Sequence, residues 1–225
     1  LYASYLGPLA EVCDLGLATE GLGESWEVTQ VAVKPMPACH FTHACADAAI
    51  LLRQEHGIRP QEIVKARAPV PAEGVKTVCE PVANKKRPQN SYDAQFSIPY
   101  AVASGLVRGS FGLAELELEC LSDPTTLGVA SKVEYETDPA SAFPKYYSGE
   151  VVVTLEDGRE LRRREHINRG ASDRPISGPE IAAKFMENAT MAVTRAHAEM
   201  LRDAVLQLDS SMPAGQLSAL LGGRR

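Results

Sequence analysis

The sequence predicts an α+β fold: a small antiparallel-sheet layer with packed helices, followed by a separate block of C-terminal helices. Three observations carry that expectation. Val151, Val153 and Leu155 alternate up to Asp157-Gly158, and Leu161 leads away again. Asp-Gly between two such runs is a strong hairpin signal, because a type I′ turn needs positive φ. Strand-like and helix-like stretches are mixed without the regular alternation of a doubly wound sheet. From Pro179 onward the apolar residues recur only at helical spacing.

The elements follow in order. Leu1 to Leu17 reads as the tail of an amphipathic segment, and the start at Leu1 instead of Met leads us to expect a preceding N-terminal portion. Trp26 to Val33 alternates and is rich in β-branched residues, so it reads as a strand. Lys34-Pro35-Met36-Pro37 ends it, since two prolines remove ladder donors. A helix is expected from about His40 to His56, with Phe41, Ala44, Cys45, Ala48 and Leu52 on one stripe and Gly57 as its stop. Ile63 to Val70 suggests a strand, and Lys85-Lys86-Arg87-Pro88 a basic, solvated loop. Tyr92 to Val107 reads as helical with a kink or break at Pro99. Glu115 to Leu121 reads as a short helix and Lys132 to Thr137 as a strand. After a loop over Asn168 to Ile176, Ser177-Gly178-Pro179-Glu180 fits a capping box with proline in the first turn. Ile181, Phe185, Ala189 and Val193 mark one helix, and Leu201, Ala204, Val205 and Leu208 another.

Composition narrows the function classes. With 225 residues, 44% hydrophobic and 23% charged, the chain has the make-up of an ordinary globular protein. Its net charge of -6 argues against a nucleic-acid partner. Arg162-Arg163-Arg164 alternates faces in a strand and reads as a charge-protected edge. No apolar run is long enough to span a bilayer, so no membrane partner is expected. The five cysteines, Cys13, Cys39, Cys45, Cys79 and Cys120, include no C-x-x-C pair. That argues against a disulfide framework or a cluster site and fits a cytoplasmic setting.

Candidate chemistry concentrates in Lys34 to His43. A strand end, a stiff double-proline turn and a helix start bring backbone N–H groups and a lysine together, which suits an anion such as a carboxylate. Three readings stay open on the residues alone. Lys34 holds a carboxylate while His43 is oriented by Asp47 one turn on. Alternatively, Cys39, His43 and Asp47 form a metal site, although no metal-binding motif supports one. Or these side chains simply pack at a helix start.

The string K-P-x-P-x-C-x-x-x-H followed by Asp47-Ala48 resembles the active-site segment of the MmgE/PrpD family, the group of 2-methylcitrate dehydratase and cis-aconitate decarboxylase. Phe96-Ser97-Ile98-Pro99-Tyr100 with Val102-Ala103 resembles the same family's F-S-x-P-Y-x-V-A helix. Arg169-Gly170, Pro175-Ile176-Ser177 and Lys184-Phe185 resemble two further elements, in the same order and spacing. The resemblance implies that residues 26–168 form an α+β lid, and that residues 1–25 and 169–225 belong to a helical domain, with a cleft between the two. It assigns substrate binding to Lys34, Cys39 and Ser97, and catalysis to His43 and Tyr100. It implies no cofactor and no metal, a small di- or tricarboxylate substrate, and a homodimer. One departure stands out: cis-aconitate decarboxylases carry a histidine five residues after the lysine, where this chain has Cys39.

The implied reaction is a dehydration or a decarboxylation, with isomerisation of a dicarboxylate or a non-catalytic assembly role as alternatives. Both lyase reactions develop negative charge that a preorganised cation stabilises. Lys34 suits that role, His43 and Tyr100 suit proton transfer or orientation, and the main acid–base residue is expected outside these 225 residues.

Overall fold

A computed structural model describes residues 5, 7–8, 13–208 and 213–222. Helix α1 spans His40–His56, as its apolar stripe predicts. Gly57 ends it in the left-handed region at φ 61, returning its N–H to the Arg53 carbonyl. The helix is rich in alanine, and its residues Thr42 to Ala49 are all buried. Small side chains let two neighbours approach it closely, one on each side.

The first neighbour is a four-stranded sheet. Its strands are β1 (Ile63–Val70), β2 (Val133–Thr137), β3 (Gly149–Leu155) and β4 (Glu160–Glu165), in the order β2-β1-β3-β4. The β3–β4 hairpin turns at Asp157-Gly158, with Gly158 at φ 84. The sheet is mixed, not wholly antiparallel: β1 pairs with β3 antiparallel but with β2 parallel. A parallel pair needs a long crossover, and the chain between β1 and β2 supplies it as a run of helices.

Those helices are α2 (Val75–Val78), α3 (Val82–Lys86), α4 (Ser91–Gln95), α5 (Ile98–Arg108), α6 (Leu118–Leu121) and α7 (Pro124–Ser131). The expected basic loop at Lys85-Lys86 is instead the last turn of α3, because Lys85 and Lys86 anchor on the carbonyls of Thr77 and Ser131. The helix expected over Tyr92–Val107 breaks at Phe96-Ser97, and Pro99 sits in the first turn of α5. There its missing N–H costs nothing. Helix α5 is the second close neighbour of α1.

The main core lies between α1, α5, α7 and the sheet, and includes Leu52, Ile63, Val70, Val102, Leu106, Val133 and Val151. Burying each such side chain contributes roughly 1.5–3 kcal/mol.

Beyond the sheet, α8 (Gly178–Thr190) starts on the expected capping box of Ser177 and Glu180. Helices α9 (Arg195–Leu206) and α10 (Ala214–Leu221) follow. The chain divides into two units, Leu1–Val31 and Ala32–Arg225, and the second takes in both the sheet layer and these helices.

The expected strand over Trp26–Val33 does not form. Glu27–Gln30 is a 3-10 turn, and no residue of this stretch joins the four-stranded sheet. Alternation alone makes a strand only where an edge is offered, and the edges here are β2 and β4. The amphipathic segment expected over Leu1–Leu17 lies mostly outside the described residues. Its described end, Leu15–Ala18, is a 3-10 turn capped by Asp14.

Candidate functional site

The turn that carries Lys34 is held by backbone at both ends. The Val33 N–H donates to the Gly170 carbonyl at 2.8 Å. Gly170 has φ 93, and a Cβ there would lie 1.9 Å from the Val33 oxygen, so only glycine lets the two chains touch. At the other end, the Cys39 N–H donates to the Gln95 carbonyl at 2.9 Å. Between them, Lys184 of α8 donates from Nζ to the Lys34 carbonyl at 2.5 Å. The Lys34 Nζ itself donates to the Ala38 carbonyl at 3.2 Å, so the turn folds its own lysine back over the start of α1.

This turn and α4 border an open groove of about 560 Å³. Met36, Pro37 and Phe96 give it an apolar wall, Cys39 and Gln95 contribute a thiol and an amide, and Lys34 and Lys184 bring two ammonium groups. Neither lysine has a carboxylate partner among the described residues. In a chain of net charge -6, two uncompensated cations beside an apolar wall favour an anionic organic ligand.

His43 lies behind this turn and is fully buried. Its Nε2 donates to the same Ala38 carbonyl at 3.2 Å. That bond fixes the proton on Nε2 and leaves Nδ1 bare. Among the described residues, Nδ1 of His43 is the one buried side-chain polar atom without a partner. Burial, then the neighbouring His40, pushes the His43 pKa down to about 3, so the ring is neutral at physiological pH. His40 packs edge-on against it, with centroids 4.9 Å apart, and stacks on Tyr147 at 4.4 Å. Asn168 accepts the Tyr147 N–H on Oδ1, which turns its amide nitrogen toward His40 Nε2 at 3.0 Å. His40 is thereby held as the Nδ1–H tautomer.

Asp47 does not orient His43, contrary to expectation. Arg169 takes it instead, with guanidinium contacts at 2.9 to 3.3 Å, and also reaches Glu180 at 3.2 Å. A buried carboxylate pairs more favourably with a forked cation than with a neutral ring. Burial raises the Asp47 pKa while Arg169 works against that rise. A second pocket of about 340 Å³ borders this pair, but its arginines already have carboxylate partners. With His43 and Asp47 so engaged, the Cys39–His43–Asp47 metal set does not assemble. Among the described residues no three His, Cys, Asp or Glu side chains converge as ligands would.

Two expected site residues are placed in the framework and do not line the groove. Ser97 is buried, caps α5 by accepting the Tyr100 N–H at 3.0 Å, and donates to the Lys85 carbonyl at 2.5 Å. Tyr100 is buried too, and its hydroxyl donates to the Glu115 carbonyl at 2.7 Å. Burial pushes its pKa up, which keeps it a neutral donor. Lys34 and Cys39 are therefore brought together in the groove, with His43 just behind. Local sequence signals assign no role to Lys184, His40 or Asn168. Helical spacing does place His40 one turn before His43, but nothing local signals that α8 returns to the Lys34 turn.

Residues 36–210 match the family model described as the MmgE/PrpD C-terminal domain. The chain is 28% identical over 200 residues to a cis-aconitate decarboxylase of Mus musculus, covering 86% of this chain and 40% of the relative. It is 29% identical over 209 residues to the cis-aconitate decarboxylase of Homo sapiens, covering 88% and 42%. Against the cis-aconitate decarboxylase-like protein oryM of Aspergillus oryzae it is 23% identical over 212 residues, covering 91% and 43%. The chain thus spans about two fifths of the length of these relatives. Among the described residues no helix is long and apolar enough to cross a membrane.

Proposed function

The chain belongs to the MmgE/PrpD family through that C-terminal domain, and on this premise we propose that it is part of a lyase that removes water or carbon dioxide from a small di- or tricarboxylate. The observation that carries the reading is the Lys34 ammonium, fixed on the Ala38 carbonyl at the border of the groove and free of any described carboxylate. An ammonium has three hydrogens. One is directed at Ala38, which leaves two for a substrate carboxylate.

Loss of a proton next to a carboxylate, or of carbon dioxide from it, leaves electrons on carbon that delocalise into a carboxylate. A cation held in place beforehand stabilises that charge without reorganising. His43, neutral and buried behind the same turn, is assigned to orienting it, and Tyr100 to supporting the groove from the core. Residues 26–168 serve as the lid of the cleft in this reading, with 1–25 and 169–225 belonging to the helical domain. A homodimer, a cytoplasmic location and independence of metal and cofactor are parts of the same proposal.

The test is turnover of 2-methylcitrate, citrate and cis-aconitate by the longer gene product, followed by alkene absorbance and released carbon dioxide, with chelator present. Lys34→Ala is expected to lower kcat/KM by about 10²–10³, the effect of removing one preorganised charge-stabilising donor. Full activity in that variant sinks the reading. No turnover of any of the three by a well-folded protein turns it toward isomerisation of another diacid or a non-catalytic assembly role.

A further inference from the structure

We propose that Lys184 is the second carboxylate anchor of the groove and sets its preference for ligands with two carboxylates over ligands with one. This rests on the lyase reading above but names a residue outside the Lys34 turn. Lys184 stands on α8, a full 150 positions along the chain, and is brought to the groove by its bond to the Lys34 carbonyl. That bond uses one of its three ammonium hydrogens and leaves two. Its charge is uncompensated by any described carboxylate, as is that of Lys34. Because Lys184 bonds the carbonyl of the very residue whose side chain is the first cation, both lysines line the same groove. Met36, Pro37 and Phe96 give the same groove its apolar lining. A carbon chain on that wall with a carboxylate at each end satisfies both cations, whereas a monoacid leaves one without a partner.

A merely structural lysine would act only through its hydrogen bond to Lys34, and glutamine separates that role from charge. Lys184→Gln keeps a donor and loses the cation, while Lys184→Arg keeps both. The probes are glutarate and valerate, which share a five-carbon chain and differ by one carboxylate. Dissociation constants are measured by NMR titration of the labelled 225-residue chain, with circular dichroism confirming that each variant is folded. The unaltered chain is expected to bind glutarate about tenfold more tightly than valerate, the scale of one charge-assisted contact. Lys184→Gln should bring glutarate down to the level of valerate without changing valerate, and Lys184→Arg should keep the preference. A preference that survives Lys184→Gln, an equal loss for both ligands, or no binding by the unaltered chain overturns the proposal. Lys34→Met tells the two levels apart. If it leaves both ligands unchanged while Lys184→Gln still abolishes the preference, Lys34 loses its place in the lyase reading and Lys184 keeps its own.

Discussion

His43 sits where its chemistry is costly. A neutral imidazole in the core has one nitrogen on the Ala38 carbonyl and one with no partner, and an unsatisfied buried acceptor costs about 1–3 kcal/mol. The pKa of about 3 turns this into a dependence on pH. The unfolded chain takes up the proton near pH 6.5, and the folded chain only near 3. Between those values the unfolded state binds more protons, so stability is whole above pH 6.5 and falls as the pH drops toward 3. Asp47 works in the opposite sense, since its raised folded pKa favours the protonated native state at acid pH. His43→Gln isolates the histidine contribution. Denaturant unfolding at pH 7 and pH 4 should show the parent losing stability that the variant keeps, on the order of a few kcal/mol. Equal losses in both proteins would mean that the ring is not buried neutral. Ser97 and Tyr100 show the other outcome at this scale. Their side chains cap and brace α5, so a motif that flags a functional segment also flags the packing that positions it.

At the scale of elements, α1 carries the site because it is clamped between α5 and β3. A Cβ on Gly105 of α5 would come 2.8 Å from the Ala49 Cβ and 3.1 Å from the Ala46 carbonyl. A Cβ on Gly149 of β3 would meet the Cys45 sulfur at 2.8 Å. Gly105→Ala is therefore expected to destabilise by about 1–2 kcal/mol, as overpacking outweighs the gain in helix propensity. Pairing it with Ala49→Gly should give a favourable coupling of about 1 kcal/mol in a double-mutant cycle read by thermal unfolding. Strict additivity would show that the two helices do not touch there. The sequence made α1, β1, the β3–β4 hairpin and the capping box of α8 legible, because each depends on local signals: a stripe, a β-branched run, Asp157-Gly158, Ser177 with Glu180. Helix α7 carries a local signal as well, since Asp123 before Pro124 is an N-cap accepting from Thr125 and Thr126. The parallel pairing of β1 with β2 and the absence of a sheet strand over Trp26–Val33 were not legible, as both depend on which edge the rest of the chain leaves open. The same holds in the site. Lys34 and Cys39 were readable from one turn, whereas Lys184 and Asn168 reach it from 150 and 128 positions away, Asn168 through His40.

Across the described residues, the basic edge of the sheet is neutralised by carboxylates while the two cations of the groove are not. The three arginines of β4 are compensated: Arg162 and Arg164 reach Glu150, Arg164 also reaches Asp138, and Arg163 reaches Glu165 and Glu55. Paired in this way, that edge offers little to a polyanion, while Lys34 and Lys184 remain available to a small one. The groove supplies cations, a thiol and an amide but no carboxylate or imidazole positioned as a base, because His43 lies behind the turn with Nε2 engaged. Binding and chemistry should therefore separate. The 225-residue chain is expected to bind a tricarboxylate such as citrate, yet to release no carbon dioxide from cis-aconitate and to form no alkene from citrate. The longer gene product is expected to do one or the other. Assaying both proteins side by side, at matched concentrations with binding checked by NMR, decides the matter. Turnover by the 225-residue chain alone would place the missing base among these residues, with His43 the first to substitute. Binding without turnover would assign it to residues outside this chain.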